Sequence, residues 1–414
     1  MPGHWTVTPL KVASLLNPET LPEDTDPNFE FVYLDISNVD GLGRIIDLAP
    51  TVFATAPSRA RRRVRSGDTV FSTVRTYLRA IAFVADSGAN LVASTGFAVV
   101  RATRSSDPRF LAWYLQSDPF VQAVMAHSEG IGYPAINPST LGRLPVLLPD
   151  LAEQRAITAF LDRETARIDA LVEKKRRLIE LLCEKRQAVI TRAVTRGLDP
   201  NVPMTDSGIE WLGRVPAHWD VWRGKAIFTE SDERSPSGDE ELLTVSHITG
   251  VTSRSEKTVY MFEAETTEGY KLCRPGDLAI NTMWAWMGAL GIAPRLGIVS
   301  PSYNVYQPHD QRGVWYFDYL LRTPAFIAEI NRWSEGVWKS RLRLYPEAFL
   351  EMRMPVPPPE ERTAIVATLD NRLQPEQRLM DAMDRSIDVL REHRQALITA
   401  AVTGQIDVRN EVPA

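Results

Sequence analysis

The chain has 414 residues, 44% of them hydrophobic, with 47 basic and 52 acidic residues and a formal net charge of −5. This length needs more than one domain, with room for real cores. No apolar run reaches membrane-spanning length and the N-terminus lacks the basic-then-apolar layout of a signal peptide, so a cytoplasmic protein with no membrane partner is expected.

Residues 1–148 mix short β-rich runs ("FVYLDI", "TVFSTV", "GFAVV") with Gly-Asp and Pro turns and helical stretches such as "FLAWYLQS". That is an α+β signature without regular βαβ alternation. "PGHWTV" sets His4 beside Trp5, where packing is expected rather than metal binding, because no second His or acidic cluster repeats with it. "SRARRRVRSGD" sets Arg59, Arg61, Arg62, Arg63 and Arg65 ahead of a Gly-Asp turn. Forked, permanently charged guanidiniums suit phosphates and guanine edges; the competing reading is a solvated basic loop.

Residues 149–198 form a spacer, read as a glycine-free helix over 151–196. Leu161, Ile168, Leu182 and Val189 fall on a seven-residue row, with Leu171 and Leu178 on companion positions. "EKKRRLIE" at Glu173 is a charged face, either solvated or in contact with DNA or a partner subunit. Residues 199–358 form a second globular domain of the same kind ("LLTVSHI", "DLAINTM", "FDYLLRT"), in which His218 stands beside Trp219. Residues 359–408 form a second spacer, read as a helix over 360–403 and followed by a tail, 409–414. Its row is Leu369, Met383, Leu390 and Leu397, with Leu379 as companion. Pro375 should kink or break it, and Gly197 and Gly404 should end the two helices.

Lys175, Lys185, Glu376 and Ser386 interrupt the seam, which suits an antiparallel coiled-coil pair within one chain better than a self-sufficient zipper. Residues 150–198 carry a net charge of +3 and residues 356–414 a net charge of −3, as helix partners should. Some 40 helical residues make a strut of roughly 60 Å.

"RQAVITRAVTRG" at Arg186 returns 208 residues later as "RQALITAAVTGQ" at Arg394. With the same offset, "AITAFLD" at Ala156 returns as "AIVATLD" at Ala364. Upstream, with some drift, "PGHWTV" returns as "PAHWDV", "YLDISNVDG" as "LLTVSHITG", "SGDTVFSTVR" as "PGDLAINTMW" and "HSEGIG" as "WSEGVW". The order is kept throughout, so the chain is a tandem duplication. Two duplicated halves packed antiparallel would be related by a pseudo-two-fold axis, with heads free to differ.

These features resemble the specificity (S) subunit of type I restriction–modification systems. The lead-ins "LPVLLPDLAEQRAITAFLD" from Leu144 and "MPVPPPEERTAIVATLD" from Met354 are similar to that family's recurring motif, as are the Gly-Asp turns at Gly67 and Gly276 and the "SEG" turns at Ser128 and Ser334. The second lead-in is two residues shorter and has Arg362 where the first has Gln154. The resemblance implies two target recognition domains, each reading one half of a bipartite, asymmetric site in the major groove of double-stranded DNA. It also implies a helix pair that spaces the heads and docks methyltransferase (M) and restriction (R) subunits. S-adenosylmethionine, ATP and magnesium would then sit on those partners, with no cofactor, metal or catalytic residue in this chain. Half-sites on one face of a duplex lie roughly 34 Å apart, or a multiple of that, which such a strut can serve.

By the same resemblance the segment after each Gly-Asp turn faces DNA. That segment offers Ser72, Thr73, Arg75, Tyr77 and Arg79 in the first head, and Asn281, Thr282, Trp284 and Trp286 in the second. Core packing is the competing reading for the two tryptophans. "GVWKSRLRLYP" sets Lys339, Arg341 and Arg343 at every second residue, on one side of an extended run. The matching "GIGYPAINP" has no basic residue and offers Tyr133 and Asn137. Phosphate-loop, amino-methyltransferase, dinucleotide and nucleophile-elbow motifs are missing, so a non-enzyme is expected. A coiled-coil adaptor whose heads bind proteins is the rival, favoured by the acidic net charge.

Overall fold

The computed structural model describes residues 2–88, 90–130, 132–256, 266–336, 338 and 342–409. It divides into two compact units, Met1–Arg176 with Asp384–Ala414, and Arg177–Met383.

In the first unit, strand Thr6–Pro9 pairs antiparallel with Pro145–Leu148, just ahead of the long helix that starts at Leu151. An antiparallel sheet orders strands Ser14–Leu16, Phe97–Ala102, Asp68–Ser72 and Ile81–Phe83. A second sheet orders Ala49–Val52, Glu30–Leu34, Leu91–Ser94 and Ala60–Val64, its two central strands parallel. Alternation along the strands separates two cores. Val70, Ala82, Phe97 and Val99 join Leu34, Val64 and Leu91 between the sheets. Their neighbours Phe71, Ile81, Ala98 and Val100 face helices Pro108–Gln116 and Asp118–Ala126 on the other side. Ile157, Leu161, Ile398 and Val402 of the two long helices complete that second core. Each fully buried Ile, Leu or Phe there contributes about 1.5–3 kcal/mol relative to exposure.

The second unit repeats this plan. Strand Asp220–Arg223 pairs with Arg353–Val356, and a four-stranded antiparallel sheet orders Phe228–Ser231, Tyr303–Pro308, Leu278–Asn281 and Leu290–Ile292. Two separate strand pairs, Leu243–Ser246 with Gly250–Ser253 and Lys271–Cys273 with Gly297–Val299, take the place of the second sheet. Leu278, Ile280, Leu290 and Tyr306 pack on Phe317, Leu320 and Phe326, together with Ala193, Val194, Ile365 and Leu369 of the long helices. The mixed α+β class and the duplication stand as read.

The long helices run Leu151–Arg196 and Pro359–Val402. Within each unit their segments are antiparallel. In the first, Asp169 lies 3.0 Å from Arg394 while Ile157 clusters with Ile398 and Ala401. In the second, Cys183 contacts Met380 at 3.7 Å, Lys185 pairs with Glu376 at 2.8 Å, and Val194 clusters with Ile365. Of the expected seam, Leu161, Ile168 and Leu369 are buried, and Leu182, Val189, Met383, Leu390 and Leu397 are half-buried. Leu171, Leu178 and Leu379 are exposed at 44%, 43% and 46% and do not belong to it. Thr165 and Val172 fill the companion row of the first helix. In the second helix the buried row is Leu373, Met380, Ile387 and Arg394.

Pro375 does not break the second helix, which runs through it. Pro375 and Asn371, the residue whose helical bond proline forfeits, are both exposed, so water replaces that bond. Gly197 and Gly404 end the helices at φ +75° and +68°. A side chain at either would also meet the Trp219 or Trp5 ring, at 3.4 and 3.2 Å. Among the described residues no helix is long and apolar enough to cross a membrane, and no cluster of metal-ligating side chains occurs.

Candidate nucleic-acid interface

The loop after strand Asp68–Ser72 is built from its backbone. Gly67 turns the chain at φ +89°, and Asp68 accepts from the Arg65 amide at 2.8 Å. Arg75 and Arg79 stand at either end of a 3-10 turn, Thr76–Leu78, with φ +50° and +54°. Left-handed backbone is costly for side-chain-bearing residues and persists where surroundings hold it. Here the Arg75 amide donates to Pro134 O at 2.8 Å, and Ile136 donates to Thr73 O at 2.8 Å. Those bonds bring the Tyr133 loop against the arginine loop, with the Arg75 guanidinium 4.6 Å from the Tyr133 ring centroid. A cation over an aromatic face is attracted by the ring's negative π cloud.

Arg59 joins this pair from a third segment, donating to Asp35 at 2.6 Å and to the Tyr33 hydroxyl at 3.3 Å. A cleft of about 770 Å³ lies among Asp35, Arg59, Val74, Arg75, Leu78 and Tyr133. Tyr133 is 68% exposed and Tyr77 49% exposed.

The other arginines do not form a basic loop. Arg61, Arg62 and Arg63 lie on strand Ala60–Val64. Arg61 stacks on Phe53 at 4.7 Å. Arg62 is half-buried, donates to Thr20 at 3.1 Å, and is pushed down in pKa by burial. Arg63 is exposed. Arg65 pairs with Glu19 at 2.8 Å and Arg79 with Asp118 at 2.5 Å.

Thr73 corrects the sequence reading: it is buried, and its amide and hydroxyl both donate to Gly96 O. Asn137 is exposed but caps the turn Pro138–Leu141, accepting from the Ser139 amide at 2.9 Å.

In the second head Gly276 repeats the φ of +89° and strand Leu278–Asn281 leads into the equivalent 3-10 turn, Ala285–Met287. Asn281 is a second correction. It is only 7% exposed, and its Oδ1 has no hydrogen-bond partner among the described residues. Thr282 is half-buried, with its hydroxyl on Ser302 O at 3.2 Å and its carbonyl accepting from Leu344. Trp284 is 48% exposed and Met283 40% exposed, whereas Trp286 is half-buried and donates to Met283 O at 3.0 Å. Arg343 is exposed and exchanges backbone hydrogen bonds with Glu335 of the "SEG" turn. Lys339 and Arg341 lie outside the described residues.

Sequence reasoning missed the carboxylates that organise the head–helix junctions. Glu153 takes both His4, at 2.8 Å, and the Trp5 indole, at 3.2 Å. Glu361 takes His218, at 2.7 Å, and the Trp219 indole, at 3.0 Å. The signal was present, since both glutamates follow the repeated Pro-rich lead-in. The neighbouring Gln154 and Arg362 are both buried. Gln154 accepts from the Asp107 amide at 2.7 Å and donates to Pro149 O at 2.9 Å, whereas Arg362 donates to Asp310 at 2.9 Å. An ion pair thus stands in the second head where a neutral amide stands in the first.

No family model matches the chain. A 112-residue segment, 27% of the chain, is 26% identical to the type I restriction enzyme StySPI specificity subunit of Salmonella potsdam, and it spans 24% of that relative. A solved chain from work on complex assembly and conformational transition of the type I R-M system is 25% identical, with a TM-score of 0.68. That likeness covers 98% of this chain and 99% of the other. The HsdS subunit from Thermoanaerobacter tengcongensis shares the fold at 23% identity and a TM-score of 0.50, over 98% of each chain. In its repeated lead-in, its duplicated heads and this full-length likeness, the chain resembles the specificity subunits of type I restriction–modification systems.

Proposed function

We propose that the chain is the non-catalytic DNA-recognition subunit of a type I restriction–modification complex. Each head reads one half of a bipartite, asymmetric target in the major groove of double-stranded DNA. The helix pair sets the spacing and docks methyltransferase and restriction subunits. Those partners carry methylation and cleavage and hold S-adenosylmethionine, ATP and magnesium in the cytoplasm. The observation that carries this reading is the matched loop of the two heads. It follows the same Gly-Asp turn in each and exposes Arg75 against Tyr133 in one and Trp284 in the other. Arginine forks grip phosphates and guanine edges, and apolar side chains make van der Waals contact with bases in the groove.

Arg59, Arg61, Arg63, Arg65, Arg75, Tyr77, Arg79 and Tyr133 would supply contacts in the first head. Trp284, Trp286, Thr282, Lys339, Arg341 and Arg343 would supply them in the second, with most guanidiniums on phosphates. Selection from a random duplex pool by the chain assembled with its methyltransferase tests this. An interrupted, asymmetric sequence should be enriched, and its binding should weaken steeply as salt rises, because phosphate contacts release counterions. Enrichment of no sequence would favour the protein-binding adaptor, to which the net charge of −5 lends some weight.

A further inference from the structure

We propose that the two heads read with different chemistry, and that the second recognises the C5-methyl group of a thymine through Trp284 and Met283. The inference rests on the DNA-reading function above and names the base chemistry of one half-site.

Strand register aligns the two loops. Asp68–Ser72 pairs with Phe97–Ala102 in the first head, as Leu278–Asn281 pairs with Tyr303–Pro308 in the second. Each strand leads into a 3-10 turn, Thr76–Leu78 or Ala285–Met287, immediately preceded by Arg75 or Trp284. Each turn ends on a left-handed residue, Arg79 at φ +54° or Gly288 at φ +91°. The strand, the turn and its left-handed exit are shared, while Arg75 is left-handed at φ +50° and Trp284 is not at φ −122°, so the tips correspond by position in the chain. Val74 becomes Met283, Arg75 becomes Trp284 and Tyr77 becomes Trp286.

The second tip is held open rather than folded into the core. Buried Ala285 anchors it, the Trp284 amide donates to Asn281 O at 3.0 Å, and Asn331 donates to Trp286 O at 2.9 Å. That scaffold leaves Met283 and Trp284, adjacent and apolar, 40% and 48% exposed where the first head presents a guanidinium.

On base edges in the major groove, guanine, adenine and cytosine present hydrogen-bond donors and acceptors, and only thymine adds an apolar group. A guanidinium tip therefore suits guanine or phosphate, and an indole–thioether tip suits the thymine methyl.

The test uses the full chain with its methyltransferase and the duplex it enriches. Each thymine of that duplex is replaced in turn by deoxyuridine, which removes the methyl alone. One such replacement should weaken wild-type binding about four-fold, the worth of one buried methyl. Trp284→Ala should bind the thymine and deoxyuridine duplexes equally, and Trp284→Arg should shift the preferred base at that position toward guanine. Deoxyuridine at every position without effect, or the same loss persisting in Trp284→Ala, would overturn the inference while leaving DNA reading intact. Enrichment of no duplex at all would remove both.

Discussion

The Trp5 indole donates to the Glu153 carboxylate at 3.2 Å, and 208 residues further along the chain the Glu361 carboxylate accepts from the Trp219 indole at 3.0 Å. Each bond pins the residue just ahead of a head's entry strand, Thr6–Pro9 or Asp220–Arg223, to the first turn of a long helix. Both indoles are 5% exposed, so neither N–H has water as a substitute. Glu153→Ala should therefore destabilise the first unit by about 1–3 kcal/mol, and Glu361→Ala the second by a similar amount. Gln at either position should cost less, because its carbonyl still accepts. Denaturant titration followed by tryptophan fluorescence measures both.

The carboxylates of the two Gly-Asp turns are held differently, and the second should make its unit's stability depend on pH. Asp68 grips Arg101 with both oxygens, each bond 2.7 Å, and Arg101 also meets Glu19. In the second head the register, with Leu278 opposite Tyr306, puts Gln307 across from Asp277. Burial then pushes the Asp277 carboxyl above its ordinary value. A carboxyl raised by folding ionises first in the unfolded chain. Stability is thus highest where both states are protonated and falls as pH climbs from the ordinary carboxyl range through the raised value.

Asp277→Asn keeps the acceptor for the Arg274 amide and removes the charge. It should abolish that fall and leave the second unit at least as stable at pH 7. Asp68→Asn should instead cost about 1.5–3 kcal/mol at pH 7, since Arg101 loses one of two carboxylates. Unfolding midpoints between pH 4 and pH 7 distinguish these outcomes.

Thiol chemistry offers an independent check of the second unit. Burial pushes the Cys273 thiol up to about 12, whereas Cys183 is exposed on the first long helix. The thiolate is the reactive form. The native chain should take up one equivalent of a thiol reagent rapidly and the second only on unfolding. Two rapid equivalents in the native state would contradict the packing around Cys273.

The duplication was legible because each repeated motif does one local job twice. Gly67 and Gly276 adopt the same φ of +89°. Ser128 and Ser334 each donate to a carbonyl four residues back, Val124 O and Ile330 O. What stayed hidden depends on contacts distant in sequence. The Glu153–Trp5 bond spans 148 residues, and the repeated lead-in that marks Glu153 does not name its partner.

A solvated loop could stand as the competing reading of the arginine run because its strand identity comes from pairing with Leu91–Ser94, far along the chain. Thr73 looked available because a hydroxyl in sequence carries no sign of the Gly96 carbonyl that takes it. The helix seam was misplaced at Leu171, Leu178 and Leu379 by following leucines, although Arg394 ends one buried row. The buried companion rows, Thr165 with Val172 and Leu373, Met380, Ile387 and Arg394, keep the seven-residue spacing but include Thr and Arg, so a row chosen by residue type alone misses them.

The most direct test of one head per half-site is a comparison of two variants on the selected duplex and on duplexes carrying single base changes in each half. Arg75→Ala alters only the first head and Arg343→Ala only the second, and both side chains stand at the surface. Each variant should weaken binding or relax base preference in one half-site, a different one for each, by about ten-fold to a hundred-fold for a lost base contact. Equal loosening of both half-sites by either variant would contradict the account.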